Sequence, residues 1–322
     1  MANTGYQAKM ALGIESSWGT KASSFDDLLF LINESIGDDI KFIENDHLIG
    51  LADLLPPDIG RKRGVGTFSV RANYQNTDRL WAAALGGSIA TTGTGPYTHV
   101  IEAGTEISKS LSLAILKRSI WVVTGVKIKK ITLSGSAASP VVLACDIVGK
   151  DISISGSETF PAMGTAPNIK FSDLVFRIGD TGAALGAGDE LGIASFEFSL
   201  ENPMEDDLQT NASGDYIDEP KMSGRRKVTL SFEIPNPADE TLLSKLKSGT
   251  LMQSDLTFSN GNYSLKIEIP GLKIRSVKEN IDDEGLIGIS IEAEGFYNTN
   301  PDMSYNNVTV TIVNDRATLW TS

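Results

Sequence analysis

Two histidines, one cysteine and a few carboxylate clusters are the side chains in this sequence that could do chemistry. His47 and His99 have no His-x-x-x-His or Glu-x-x-His spacing, so no zinc ligand set is expected, and both read as surface or loop-packing histidines. Cys145 falls on the inward side of an alternating apolar run, where a thiol is buried and inert. The clusters Asp38-Asp39, Glu205-Asp206-Asp207 and Asp282-Asp283-Glu284 lack the regular spacing of a calcium loop and read as solvated turns. Asp27 and Asp173 each precede a strand and read as turn residues. The stretch 182–192, GAALGAGDELG, is glycine-rich but lacks the Gly-Lys-Ser/Thr ending of a phosphate loop. The sequence therefore predicts no catalytic, cofactor-binding or metal site.

The basic runs say more. Arg61, Lys62 and Arg63 follow Gly60, and Arg225, Arg226 and Lys227 follow Gly224, each run standing just before a strand. They are too few to clamp nucleic acid in a chain of net charge −13. One reading is an ordinary solvated loop; the other is half of an acid-to-base contact between neighbouring subunits. The 322 residues suffice for two ordinary domains, and 41% apolar with 21% charged residues is the balance of a soluble globular protein. No apolar run approaches the ~20 residues of a membrane span, and no secretory signal is expected from the start MANTGYQAKMALG. The lone cysteine excludes an intrachain disulfide and suits a reducing cytoplasm.

The elements that would position these residues are repeated. GVKIKKI at 125–131 returns as GLKIRSV at 271–277, a spacing of 146, and the alternating run after it also returns, with Ile291 in the place of Cys145. Residues 25–32 match 171–178 at the same spacing. Between these ends the match drifts: Glu44-Asn45 with Glu201-Asn202 at 157, Phe68 with Val228 at 160, Leu85 with Leu246 at 161. Extra residues are then expected near 182–192 in the second copy and near 90–104 in the first. Such self-similarity predicts a tandem duplication, residues 1–150 and 151–322.

Each copy reads as mostly strand with one short helix, a β-sandwich or barrel. In the first helix Thr77 or Asn76 caps, Trp81, Ala84 and Leu85 bury, and Gly86-Gly87 terminate. In the second Asn236 caps, Leu242, Leu243 and Leu246 form the stripe, and Gly249 stops it. Val308, Val310 and Ile312 alternate in a last strand that has no counterpart in the first copy and could pair on its own or a neighbour's edge. The matched strands leave Thr67, Ser69, Arg71 and Asn73, and Thr229, Ser231 and Glu233, to face water. Arg71 should have a carboxylate nearby, Glu44 or Glu201.

With these parts in order, the sequence resembles the tail tube proteins (major tail proteins) of long-tailed bacteriophages. The carrying residues are Ile14-Glu15-Ser16-Ser17-Trp18-Gly19-Thr20, similar to the family's E-x-x-x-G-T pattern, then a Glu-Asn strand end, a long loop, the Gly66-Thr67-Phe68-Ser69-Val70 strand, and an Asp-x-Leu-Trp helix ending in Leu-Gly-Gly. The resemblance covers most of 14–296 and implies sandwiches with one helix that stack as rings into a hollow tube. Most members have one domain and six chains per ring; a duplicated chain implies homotrimeric, pseudo-hexameric rings. No appended immunoglobulin-like decoration domain is expected from these 322 residues. The resemblance further implies partners in the tail tip (distal tail) and tail terminator proteins, with the tape measure protein and DNA passing through an acidic lumen without specific binding. It implies a virion protein assembled in the host cytoplasm, with no cofactor, no membrane contact and no enzymatic role. The water-facing residues above would then line the lumen, and the basic runs would lie between subunits. Two alternatives stand beside it: an acidic duplicated ring of sliding-clamp type, whose hole would need paired helices and basic residues, and a tandem carbohydrate-binding module or β-sandwich hydrolase.

Overall fold

Long alternating strands that bend from one sheet into another organise this chain, and the bends sit at the repeated GVKIKKI and GLKIRSV stretches. The computed structural model describes residues 4–48, 50, 52–155, 157–237, 240–280, 288–298 and 306–320. It is mainly β, 53% strand and 8% helix, and among the described residues no helix is long and apolar enough to cross a membrane.

The first unit comprises β1 (Lys9–Ile14), β2 (Asp27–Leu29), β3 (Leu31–Glu34), β4 (Gly37–Ile43), β5 (Asp58–Arg71), α1 (Asp78–Leu85), β6 (Gly86–Thr92), β7 (Tyr97–Ala103), β8 (Leu111–Leu116), β9 (Ile120–Ser136), β10 (Val142–Gly149) and β11 (Asp151–Ser155). The first half of β9 pairs with β8 and β11; its second half pairs with β10. Gly125 makes the change of sheet possible at φ +68, and a Cβ there would meet the Trp18 indole at 2.9 Å. The Glu15 carboxylate fixes this bend by accepting hydrogen bonds from the Gly125 amide (2.7 Å), the Ser112 hydroxyl (2.8 Å) and the Gly19 amide (2.9 Å). Trp18 Nε1 donates to the Gly125 carbonyl at 2.9 Å. The E-x-x-x-G-T stretch is thus a latch on the strand bend, which accounts for its residue types. Burial pushes the Glu15 carboxyl up, and the donated hydrogen bonds hold it back.

The second unit comprises β12 (Leu174–Asp180), β13 (Ser195–Glu201), β14 (Met204–Glu205), β15 (Lys221–Met222), β16 (Lys227–Ile234), α2 (Thr241–Ser248), β17 (Met252–Asn260), β18 (Tyr263–Asn280), β19 (Gly288–Phe296) and β20 (Thr309–Asn314). Its ladders repeat those of the first. Pairing of β9 with β10 skips Lys129, and pairing of β18 with β19 skips Arg275, so the two bulges stand 146 apart. Pairing of β8 with β9 skips between Leu111 and Leu113 as that of β17 with β18 does between Met252 and Ser254. Bulges at matching places are hard to produce except by duplication.

The ladders also correct the spacing read from sequence. Cys145 opposes Phe68 and Ile291 opposes Phe232, so β5 and β16 correspond at 164, not 160. At that spacing Arg61, Lys62 and Arg63 coincide with Arg225, Arg226 and Lys227. Asp39 opposes Arg63 as Glu201 opposes Lys227, so the counterpart of Glu201 is Asp39, not Glu44. Strand β12 lies on β17 as β1 lies on β8, so 171–178 corresponds to the β1 region and not to 25–32. The isolated bridge between Arg177 and Glu190 repeats the pair Ala11 and Leu28. Measured between these anchors, the stretch around 182–192 is shorter than its counterpart, not longer. The expected lengthening of the first copy is present: it is the hairpin β6–β7. Strand β20 takes the place on β18 that β11 takes on β9, so it does have a positional counterpart.

Two seams join the units. Strand β9 pairs with β13, so one sheet runs β4–β5–β10–β9–β13–β16–β19–β18 through both. On the other layer β20 lies between β18 and β7, tying the chain end to the inserted hairpin. The core is continuous across the seams, with the Trp81 and Phe198 rings 6.0 Å apart. Beneath β20 lies a buried ionic cluster. Arg79 donates to Asp27 (2.9 Å) and Asp26 (3.2 Å), Arg316 pairs with Asp78 (2.7 Å) and with Asp27, and Asn314 donates to Asp78 (2.9 Å). Asp27 is a buried ion-pair partner, more than the turn residue expected of it.

Candidate functional site

The eight-stranded sheet has one apolar side and one polar side, and the register gathers the polar residues into rows. Thr67 stands level with Asp146, Lys130, Glu201 and Lys227. Ser69 stands level with Ala144, Thr132, Ser199, Thr229, Glu294 and Lys273. Arg71 shares its row with Val142, Ser134, Glu197, Ser231 and Glu292, and Glu233 lies between Ser195 and Ser290. Thr67, Ser69, Arg71, Thr229, Ser231 and Glu233 therefore share one face across both units, with the apolar alternates Phe68, Val70, Leu230 and Phe232 buried behind them.

Asn73 does not join them. Strand β5 ends at Arg71, and Asn73 is buried in the turn before α1. Its amide donates to the carbonyls of Ala166 (2.7 Å) and Pro167 (2.9 Å), while its Oδ1 accepts from the amides of Gln75 (2.9 Å) and Asn76 (3.1 Å). A side chain that satisfies so many backbone groups has left the strand's alternation.

The face carries charges of both signs. Glu201 lies between Lys130 and Lys227 in register, not beside Arg71, and among the described residues Arg71 has no ion pair. Glu44 is exposed in the arm beyond β4. Burial pushes the Asp146 carboxyl up, against the pull of Lys129 and Lys130.

The two basic runs, although equivalent, meet different surroundings. In the first, Arg63 binds Asp39 (2.7 Å) and Asp206 (3.0 Å), Lys62 faces Asp215 (3.7 Å), and Arg61 pairs with Asp39 (3.4 Å) and Asp207. Asp206, Asp207 and Asp215 all belong to the arm between β13 and β16, which folds back over the first unit. Arg61, Lys62 and Arg63 thus serve a contact inside the chain. In the second run, Arg226 is turned inward: it donates to Asn202 Oδ1 (2.8 Å) and to the carbonyls of Gly104 (2.9 Å) and Leu85 (3.3 Å). With Asn202 Nδ2 on the Ala84 carbonyl (2.8 Å), it caps the C-terminus of α1. Burial lowers the Arg226 guanidinium. Arg225 and Lys227 remain exposed, with no ion pair among the described residues. Asn202 stood out in the sequence only through the pairing with Asn45 that the ladders undo, and its role depends on a helix end distant in the chain.

The remaining chemistry-bearing residues lie apart from this face. The Cys145 thiol is buried and pushed up by that burial. His47 is exposed. His99 lies fully buried in β7, between Thr91 Oγ1 (2.9 Å) and the Arg316 carbonyl (2.8 Å), and burial lowers its pKa; it is neither a surface nor a loop residue. Among the described residues no group of three or more His, Cys, Asp or Glu side chains is placed to hold a metal ion. The acidic cluster 282–284 lies outside the described residues.

A search of the curated proteins finds no match to the chain. A profile of the family described as "Phage tail tube protein" matches residues 5–295, nearly the whole chain and both units. That extent sets aside the clamp and carbohydrate-binding alternatives. A β-rich chain with a two-sided sheet running through a duplicated unit is a structural component of the virion tail, and it belongs to the phage tail tube protein family.

Proposed function

We propose that three chains close into a pseudo-sixfold ring, each contributing two tube units, 1–150 and 151–322, with β11 continuing the first unit's outer sheet. Rings stack into a tube that conducts the genome into the host. One observation carries this reading: the eight-stranded sheet stops at two complementary edges. At one end the second half of β18 pairs only with β19 among the described residues, although its counterpart in β9 pairs on both sides. At the other end β3 and β4 pair only with β5 among the described residues, although their counterpart β13 pairs on both sides. Open edges of this kind are an aggregation hazard unless they are paired, and edge-to-edge closure around an axis removes them.

The internal seam supplies the register for the seam between chains. Lys130 opposes Glu201 and Thr132 opposes Ser199, so Ser276 should oppose Asp39, and Lys278 should oppose Gly37, of the next chain. In the closed barrel the polar face, with Thr67, Ser69, Arg71, Thr229, Ser231 and Glu233, lines the channel. Its interleaved charges give DNA no continuous basic track to bind, and the net charge of −13 repels phosphates. The tape measure protein would occupy the same channel, and tail tip and tail terminator proteins would cap the ends, with assembly in the host cytoplasm. Electron microscopy with mass measurement of assembled rings tests the reading. Three chains per ring and a Ser276→Cys/Asp39→Cys disulfide between chains are expected; rings of six chains, or a chain that stays monomeric even in the virion, would overturn it.

A further inference from the structure

Besides Arg61 and Lys62, three cations hold the arm between β13 and β16 on the first unit. Arg63 and Lys129 bind Asp206 at 3.0 and 2.7 Å, and Lys127 binds Glu219 at 2.6 Å and the Pro220 carbonyl at 3.0 Å. Among the described residues, the duplicated arm between β4 and β5 has no such seat in its own chain. Its described residues are mostly exposed, Leu48 at 100% and Leu54 at 97%. Glu44, Asp46 and Asp53 make no ion pair among the described residues. Asn45 closes the neck of the arm by donating to the Pro56 carbonyl at 2.8 Å, so its root is a built turn.

The seat has a duplicate as well. By the ladders, Arg63 corresponds to Lys227, Lys129 to Arg275 and Lys127 to Lys273. All three cations are kept although none keeps both identity and partner. Lys227 and Lys273 make no ion pair among the described residues, and Arg275 pairs with Glu294 at 2.6 Å and lies over the Phe296 ring at 5.1 Å. Lys227 and Arg275, with Thr229, Ser231, Glu292 and Glu294, line an open cleft of 340 Å³. On the arm, Glu44-Asn45 stands at the level of Glu205-Asp206, because Ile43 opposes Asp58 as Met204 opposes Met222, so Glu44 is the carboxylate beside the position of Asp206.

We propose that the arm 44–57 of one chain docks over the second unit of the next, seating the Glu44 carboxylate between Lys227 and Arg275. The occupant is a second copy of this chain: the arm is acidic and apolar, the cleft presents Lys227, which makes no ion pair among the described residues, beside Arg275, and the same arrangement is already made inside the chain between arm and first unit. This rests on the ring reading above and adds to it which surfaces meet beside the paired edges.

The test uses the full-length chain and a zero-length carboxyl-to-amine cross-linker, mapped by mass spectrometry in assembled and unassembled protein. An intermolecular Glu44–Lys227 link confined to the assembled form is expected. Glu44→Lys should raise the protein concentration needed for assembly about tenfold, and adding Lys227→Glu should restore it, with the monomer's thermal midpoint unchanged because both side chains are exposed. Three-chain rings that link Glu44 elsewhere, or that form normally with Glu44→Lys, overturn the arm docking and leave the ring reading standing. Failure of the unaltered chain to form rings at all overturns both.

Discussion

Helices α1 and α2 occupy equivalent places, have eight residues each and end in a left-handed glycine, Gly86 at φ +70 and Gly249 at φ +63. Yet every residue of α1 is buried, Asp78 and Arg79 included, and no residue of α2 is. The difference lies in what covers them. Helix α1 has β20, the Arg316 cluster and the hairpin β6–β7 around it, and the second unit's Asn202 and Arg226 on its last carbonyls. Among the described residues helix α2 packs on its own unit alone, with Leu242 and Leu246 against the core and Leu243 half-buried. A Cβ added to Gly86 would meet the Glu106 carbonyl at 2.7 Å; one added to Gly249 would meet nothing within 4 Å. Burial here is a property of position in the assembly, and duplicating a unit does not duplicate its surroundings.

The contrast can be broken most forcefully at the ionic cluster. Arg316→Ala leaves Asp78 buried without its ion-pair partner and Asp27 with Arg79 alone, with an expected cost of about 3–5 kcal/mol in chemical denaturation. Lys245→Ala removes the exposed pair with Asp180 on α2 and should cost no more than about 0.5 kcal/mol. Comparable losses for the two would contradict the asymmetry. A matched apolar pair sharpens it: Leu80→Ala should cost about 2–5 kcal/mol, and Leu243→Ala in the isolated chain on the order of 1 kcal/mol. If the next chain covers α2, the Leu243→Ala penalty should grow in assembled tubes.

The cap between units comes next. Arg226→Ala strips a donor from the carbonyls of Leu85 and Gly104 and should destabilise by about 1–3 kcal/mol with little dependence on salt, since the group is largely buried. An effect that disappears in high salt would place Arg226 at the surface instead.

The smallest effect is in pH. Burial, ahead of the opposing pull of Arg316, pushes Asp78 from 3.8 up to about 6. A carboxyl raised in the folded state takes up a proton on folding, so its contribution to stability is full below 3.8 and is lost as pH rises through about 6. Between pH 4 and 6 the difference in denaturation midpoint between the unaltered chain and Asp78→Asn should therefore slope, the unaltered chain gaining toward acid. A flat difference would mean that Asp78 stays ionised beside Arg316 throughout.

The sequence determined, by itself, the β-rich class, the repeat, the two glycine-terminated helices and the polar faces of β5 and β16. These follow from period-two alternation, helix stop signals and self-similarity, all local. It did not fix which residues correspond. Shifting an alternating strand by four residues leaves its pattern of apolar and polar positions unchanged, so Phe68 matches Val228 by pattern as well as it matches Phe232. Only the hydrogen-bond ladder distinguishes them, and bulges at Lys129 and Arg275 pin it. The same holds for Asn73, which continues the alternation on paper but is withdrawn by contacts with 166 and 167. The fate of the two basic runs was illegible for a related reason. Their residues are alike, and what separates a satisfied arginine from an exposed lysine is the arm that folds over one run and not the other. Charge and alternation are written residue by residue; burial and partnership depend on what the rest of the chain brings alongside.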